Sequence, residues 1–122
     1  MNKLVKSKER QQKHGEVFTP DFLVERMLKM VPESIWNDPT KTILEPSCGN
    51  GNFIVAIIRK KIHHGSTIEQ AIRTTFGVDI LEDNIQECRQ RIFEEFIWWM
   101  SDKERLVKIV EENIICKDFL KD

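Results

Sequence analysis

Glu45-Pro46-Ser47-Cys48-Gly49-Asn50-Gly51 is the segment of this 122-residue sequence whose residue types and spacing could do chemistry. Gly49 and Gly51 carry no Cβ, so the backbone there can turn tightly and approach a ligand. Position 54, where a dinucleotide-binding fingerprint has its third glycine, is Ile54, which weakens the case for a pyrophosphate cofactor. No Gly-Lys-Ser/Thr follows the loop, which excludes a P-loop. An acid before the loop, Glu45, suits a ligand that carries an ammonium group and no phosphates. Taken alone, a Gly-x-Gly is equally a plain surface turn.

Two further acids fall into the same argument. Asp79 closes the run Phe76-Gly77-Val78, and a carboxylate offers only acceptors, which suits the vicinal hydroxyls of a ribose. It would equally serve as a first-turn helix acid facing the macrodipole. Asp118 could accept the exocyclic amine of an adenine, with Phe119 packing beside the ring, or be a surface acid near the chain end.

The elements that must position these residues alternate. Thr19 suits an N-cap and Pro20 a first helical position, and Leu23, Val24, Met27, Leu28 and Val31 follow at helical spacing up to Pro32. Turn residues 37–40 lead to a strand over 42–45, and 46–51 is a loop. Phe53, Ile54, Ala56, Ile57, Ile58 and Ile62 make a broad helical stripe ended by Gly65. Ser66-Thr67-Ile68-Glu69 reads as a capping box for a short helix to about residue 73. A strand over 75–80 is followed by a long amphipathic helix marked by Ile85, Cys88, Ile92, Phe96 and Trp99. A second box, Ser101 to Glu104, opens a helix to about residue 112, and Ile114-Ile115-Cys116 is a third strand. This order predicts a parallel α/β sheet with right-handed crossovers, whose ligands sit outside the carboxyl ends of the strands. The loop, Asp79 and Asp118 all fall at those ends, so one pocket could collect them.

The totals set bounds. One small domain is the expectation, with 40% apolar and 32% charged residues as in a globular protein. The longest uncharged apolar runs, 53–58 and 96–100, fall far short of the roughly 20 residues a bilayer requires. The basic start, residues 1–6, leads into no apolar stretch, which argues against a signal peptide. Cys48, Cys88 and Cys116 lie far apart without a Cys-x-x-Cys pair, so they read as reduced thiols and no metal site is expected. A formal net charge of −1 removes the simplest argument for nucleic-acid binding. Basic clusters remain near the N-terminus (Lys3, Lys6, Lys8, Arg10, Lys13) and at Arg59-Lys60-Lys61 with His63-His64. Solvated helix ends explain them better than DNA contacts.

Four segments in one order carry a resemblance. Gly15-Glu16-Val17-Phe18-Thr19-Pro20, Leu44 through Phe53, Gly77-Val78-Asp79-Ile80 and Ile115 through Leu120 resemble motifs of adenine-specific (N6) DNA methyltransferases of restriction–modification systems. The resemblance implies a partial Rossmann-like, S-adenosylmethionine-dependent α/β methyltransferase fold of about three parallel strands with flanking helices. Residues 1–14, polar and charged, read as a frayed helix or a basic arm, which leaves 15–122 as the cofactor-binding domain. The resemblance also implies that Phe18, Thr19 and Pro20 help hold the methionine end of S-adenosyl-L-methionine, and that Glu45, Pro46, Ser47, Cys48, Gly49, Asn50, Gly51 and Phe53 form the glycine-rich cofactor motif. Asp79 with Ile80 would take the ribose, and Asp118 with Phe119 the adenine. DNA would be the substrate, in the cytoplasm, with no metal and no membrane.

The family's catalytic motif, Asn/Asp-Pro-Pro-Tyr/Phe, has no counterpart here. The four prolines are Pro20, Pro32, Pro39 and Pro46, and there is no tyrosine. That motif binds the target amine and stacks on a flipped base, so no catalytic residue is assigned among the 122. Three expectations follow: a shortened methyltransferase, one piece of a split enzyme completed by a second polypeptide, or a stand-alone cofactor binder. In the family's strand order the first strand lies mid-sheet, so its free edge would be an association hazard. Two other functions stay open: a non-catalytic interaction protein using that edge or Trp98-Trp99, and a methyltransferase fragment acting on RNA or protein.

Overall fold

Short apolar runs bounded by turns give three parallel strands, β1 (Ile43–Glu45), β2 (Thr75–Asp79) and β3 (Ile114–Cys116), in the order β1-β2-β3. They are seen in a computed structural model that describes residues 19–118 and Leu120; the expected arm over 1–14, Phe18 and Phe119 lie outside the described residues. The register pairs Leu44 with Phe76 and Val78 with Ile115, which puts these four side chains on one face. The helices are α1 (Asp21–Leu28), α2 (Glu33–Asn37), α3 (Asn52–His63), α4 (Ile68–Arg73), α5 (Glu82–Phe96) and α6 (Lys103–Asn113). The architecture is the α/β one that the alternation predicts, with β1 at an edge of the sheet among the described residues.

The core divides at α3. Ile54, Val55 and Ile58 join Ile72, Ile85, Ile92, Phe96, Leu106 and Val110 in the larger cluster, while Ala56 and Ile57 join Val24, Leu28 and Trp36 in the smaller. A helix packed on two sides needs an apolar surface wider than one stripe, which is why residues 54–58 are apolar without interruption.

Several local expectations are corrected. Thr19 is not the cap of α1: Pro20 occupies that position in extended conformation, and its carbonyl accepts from the N–H groups of Leu23 and Val24. The helix stops at Leu28, ahead of Pro32, because Met30 and Val31 turn back three residues, onto the Met27 and Leu28 carbonyls. Only Val24 and Leu28 of α1 are buried, since α3 covers a narrow strip; Leu23 and Met27 remain 38% and 45% exposed. Pro32 then heads the unpredicted helix α2, whose Trp36 fills the smaller cluster.

Both capping expectations are displaced by one residue. Thr67 with Gln70 forms the box at α4, and Asp102, accepting from the Arg105 N–H, caps α6. In each case an adjacent residue is the better-placed acceptor. Trp99 is not part of the buried stripe of α5: the helix tightens into a 3-10 turn over Ile97–Trp99, which rotates Trp98 and Trp99 outward to 79% and 74% exposure.

Candidate functional site

A buried carboxylate fastens the glycine loop. Gly49 and Gly51 adopt φ of 52° and 97°, a left-handed conformation that side chains resist. The loop therefore doubles back from β1 across the end of β2. The Cys48 N–H donates to the Val78 carbonyl at 2.8 Å, and the Gly49 N–H donates to Asp79 Oδ2 at 2.9 Å. Asp79 Oδ1 accepts from the Leu81 N–H at 2.9 Å, and the Asp79 carbonyl accepts from the Lys117 N–H at 2.9 Å. One residue thus holds together the carboxyl ends of all three strands. Asp79 is 7% exposed, and among the described residues its charge is met by the Gly49 and Leu81 N–H groups and, more distantly, by Asn84 Nδ2 donating to Oδ1 at 3.5 Å.

Close packing behind the loop requires glycine at two positions. A Cβ on Gly51 would lie 2.9 Å from Cys88 Sγ and 3.2 Å from Cys88 Cα. A Cβ on Gly77 would lie 3.0 Å from both Cys48 Cβ and Ile54 Cδ1. Cys48 and Cys88 are buried in the larger cluster. A hydrogen bond to the Cys88 thiol, with burial, pushes the Cys48 thiol far above the usual range. Cys48 is thus a packing residue under the loop.

The other expected residues are placed unevenly. Glu45 is half-buried and turns back on its own loop, Oε1 accepting from the Ser47 N–H at 3.0 Å. Burial raises its carboxyl from the ordinary value, against the lowering effect of that bond. Pro46 and Ser47 are exposed, Asn50 and Gly51 buried, and Ile80 is 47% exposed beside Asp79. Phe53 packs against the smaller cluster. Asp118 lies just past β3 at the same end of the sheet, where its Oδ1 accepts from the Leu120 N–H at 3.0 Å. The structure therefore brings the loop and Asp79 into contact, while Glu45 and Asp118 bond locally. Two cavities of about 450 Å³, one beside Trp99 and Arg105 and one beside Arg73 and Glu112, contain no residue of the glycine loop.

Three residues escape a reading of the sequence. Asn52 donates from Nδ2 to the Thr19 carbonyl at 2.9 Å, and Arg91 on α5 donates to Asn52 Oδ1 at 2.6 Å and to the Asn50 carbonyl at 3.2 Å. Asn52 follows directly on the glycine motif, which is its one signal; an arginine on a helix surface gives none. The third is Lys61, expected in a solvated basic cluster but 2% exposed. Its Nζ donates to the Lys41 carbonyl, the Thr74 carbonyl and Thr74 Oγ1 at 3.2, 2.9 and 2.7 Å. Its neighbours in that cluster are also occupied: Arg59 pairs with Glu95, and Lys60 Nζ lies 5.4 Å from the Trp36 ring centre.

Parallel strands, a glycine loop after β1 and an acid ending β2 define a Rossmann-like α/β class, here in partial form. The chain belongs to the N-6 DNA methylase family, whose model matches residues 3–97, a span containing both the glycine loop and Asp79. No curated protein matches the sequence. Among the described residues, no group of three His, Cys, Asp or Glu could hold a metal, and no helix is long and apolar enough to cross a membrane.

Proposed function

We propose that this methyltransferase-family domain binds S-adenosyl-L-methionine at the carboxyl ends of its strands, as the cofactor half of a DNA adenine-N6 methyltransferase. The observation that carries the reading is the bond from Gly49 N–H to Asp79 Oδ2, which joins the two family motifs in one site. The residues fit the cofactor. A left-handed glycine loop leaves backbone room for it. With roughly four acceptor sites against three donors, Asp79 keeps acceptor capacity for ribose hydroxyls, and Ile80 supplies an exposed apolar side chain beside it. By the family resemblance, Glu45 would take the ammonium, Phe18-Thr19-Pro20 would hold the methionine end, and Asp118 with Phe119 would take the adenine.

The cofactor, when bound, supplies an electrophilic methyl group. The chain's own part is to orient it. Accepting hydrogen bonds from a target adenine amine and stacking its base would need an Asn/Asp-Pro-Pro-Tyr/Phe motif, which these 122 residues do not contain. In this reading residues 15–122 form the cofactor domain, 1–14 a basic arm, and the protein works on cytoplasmic DNA.

Calorimetry with S-adenosylmethionine tests the first half: heat of binding is expected, and its absence from a folded sample at high ligand would sink it. With duplex DNA, the 122-residue chain alone is expected to transfer no labelled methyl group; transfer would refute the second half. A second reading, a protein-binding module, draws on the exposed Trp98 and Trp99. The β1 edge, open among the described residues, would serve the same reading, and a clean monomer in size-exclusion chromatography would argue against an edge that needs a partner.

A further inference from the structure

The geometry points to Asn52 and Arg91 as a positioning relay that holds the Thr19-Pro20 segment against the glycine loop and so selects the amino-acid end of the ligand. The inference rests on the proposed cofactor site. Arg91 has donors only, so the Asn52 atom at 2.6 Å from it must be the amide oxygen. That fixes the amide nitrogen toward the Thr19 carbonyl, 2.9 Å away, where an acceptor waits. The orientation of this side chain is therefore decided by chemistry at both ends. Arg91 also holds the Asn50 carbonyl at 3.2 Å, and Asn50 Oδ1 accepts from the Asn52 N–H at 3.3 Å. Three segments distant in sequence meet at one amide: the approach to α1, the glycine loop and the third turn of α5.

The position of the amide gives it leverage. Asn52 is the first residue of α3, and Ala56, one turn on, packs against Val24 and Leu28 of α1. Apolar packing fixes how far α1 stands from α3 but tolerates sliding. The directional bond to Thr19 sets the register of the segment at the end nearest the loop. A ligand that reaches Thr19 and Pro20 feels the relay, whereas one confined to the loop and Asp79 does not.

The test compares two ligands on the full 122-residue chain: S-adenosylmethionine, and 5′-methylthioadenosine, which lacks the amino acid. Asn52→Asp is isosteric, keeps the Arg91 partner and turns the group facing Thr19 from donor to acceptor. Asn52→Ala removes the tether without adding charge. Both are expected to weaken S-adenosylmethionine about tenfold, the effect of one lost hydrogen bond, and methylthioadenosine less than about twofold. Arg91→Met is expected to produce a smaller loss of the same selectivity, and Arg91→Lys to restore it. If folded Asn52 variants bind both ligands as the parent does, or lose both equally, the relay is overturned while the cofactor reading stands. If the parent chain binds neither ligand, the cofactor reading falls and the relay with it.

Discussion

The two ends of the sheet each bury one charge, and they satisfy it in opposite ways. At the carboxyl ends, Asp79 is met by peptide N–H groups from the glycine loop and from the start of α5. At the amino ends, Lys61 is met by two carbonyls and a hydroxyl, from Lys41 before β1 and Thr74 after α4. Parallel strands with helical crossovers place helix starts at the first end and helix finishes at the second, so backbone dipoles favour an anion above and a cation below. The difference lies in saturation. Three ammonium donors meet three acceptors at Lys61, leaving nothing for a ligand, whereas a carboxylate with roughly four acceptor sites is only partly used. The saturated end is a clamp, and the unsaturated end can take a guest.

The largest effect expected at the upper end comes from Gly51→Ala. A left-handed φ of 97° and a Cβ 2.9 Å from Cys88 Sγ add strain to overpacking. The expected cost is about 2–5 kcal/mol in urea unfolding, with loss of S-adenosylmethionine binding. Cys88→Ala in the same chain should recover part of the stability, because the sulfur goes while the backbone of residue 88, with its Cα 3.2 Å from the added methyl, stays. Full recovery would show that backbone conformation costs nothing there.

Asp79→Asn comes next, at about 2–3 kcal/mol, since an amide can accept from only one of the Gly49 and Leu81 N–H groups and turns a donor against the other. If stability were unchanged and only ribose-bearing ligands bound more weakly, Asp79 would be a pure ligand residue and the comparison with Lys61 would break.

How much of this is legible in the sequence differs between the two ends for the same reason. The glycine loop, Asp79 and the strands around them announce themselves, because left-handed turns need glycine and half-buried strands need short apolar runs. Lys61 looks like one more solvated base, because a sequence shows a charge but not the carbonyls that converge on it from Lys41 and Thr74. The stripe on α1 reads as wider than it is, because periodicity reports which residues could face a core and not how much core there is to face. Helix starts shift by one residue where two good caps stand side by side, as at Ser66-Thr67 and Ser101-Asp102. Arg91 is invisible and the role of Asn52 is hidden, although Asn52 stands in the glycine segment, because their hydrogen bonds join segments far apart in sequence.

The lower end is tested through pH. Burial lowers the Lys61 amine from 10.5 to about 8. Between those values the unfolded chain holds a proton that the folded chain lacks, so stability rises with pH across the interval and that contribution is lost as pH falls through about 8. Lys61→Met should cost about 1–2 kcal/mol at pH 7 by stranding its acceptors. It should also abolish this rise, so that parent and variant urea midpoints diverge further from pH 7 to pH 10. Parallel curves would mean that the amine is solvated and that the clamp is no mirror of Asp79.

Gly65→Ala is the smallest and cleanest change. Gly65 has a φ of 108°, close to that of Gly51, yet a Cβ there meets nothing within 4 Å. It follows α3 at the lower end, as Gly51 precedes it at the upper. Strain alone should therefore cost about 1 kcal/mol, with ligand affinity untouched. Subtracting that loss from the Gly51→Ala loss isolates what the clash with Cys88 contributes. A Gly65→Ala penalty as large as that of Gly51→Ala would place the whole effect in the backbone, and the tight seat behind the glycine loop would then have no energetic role.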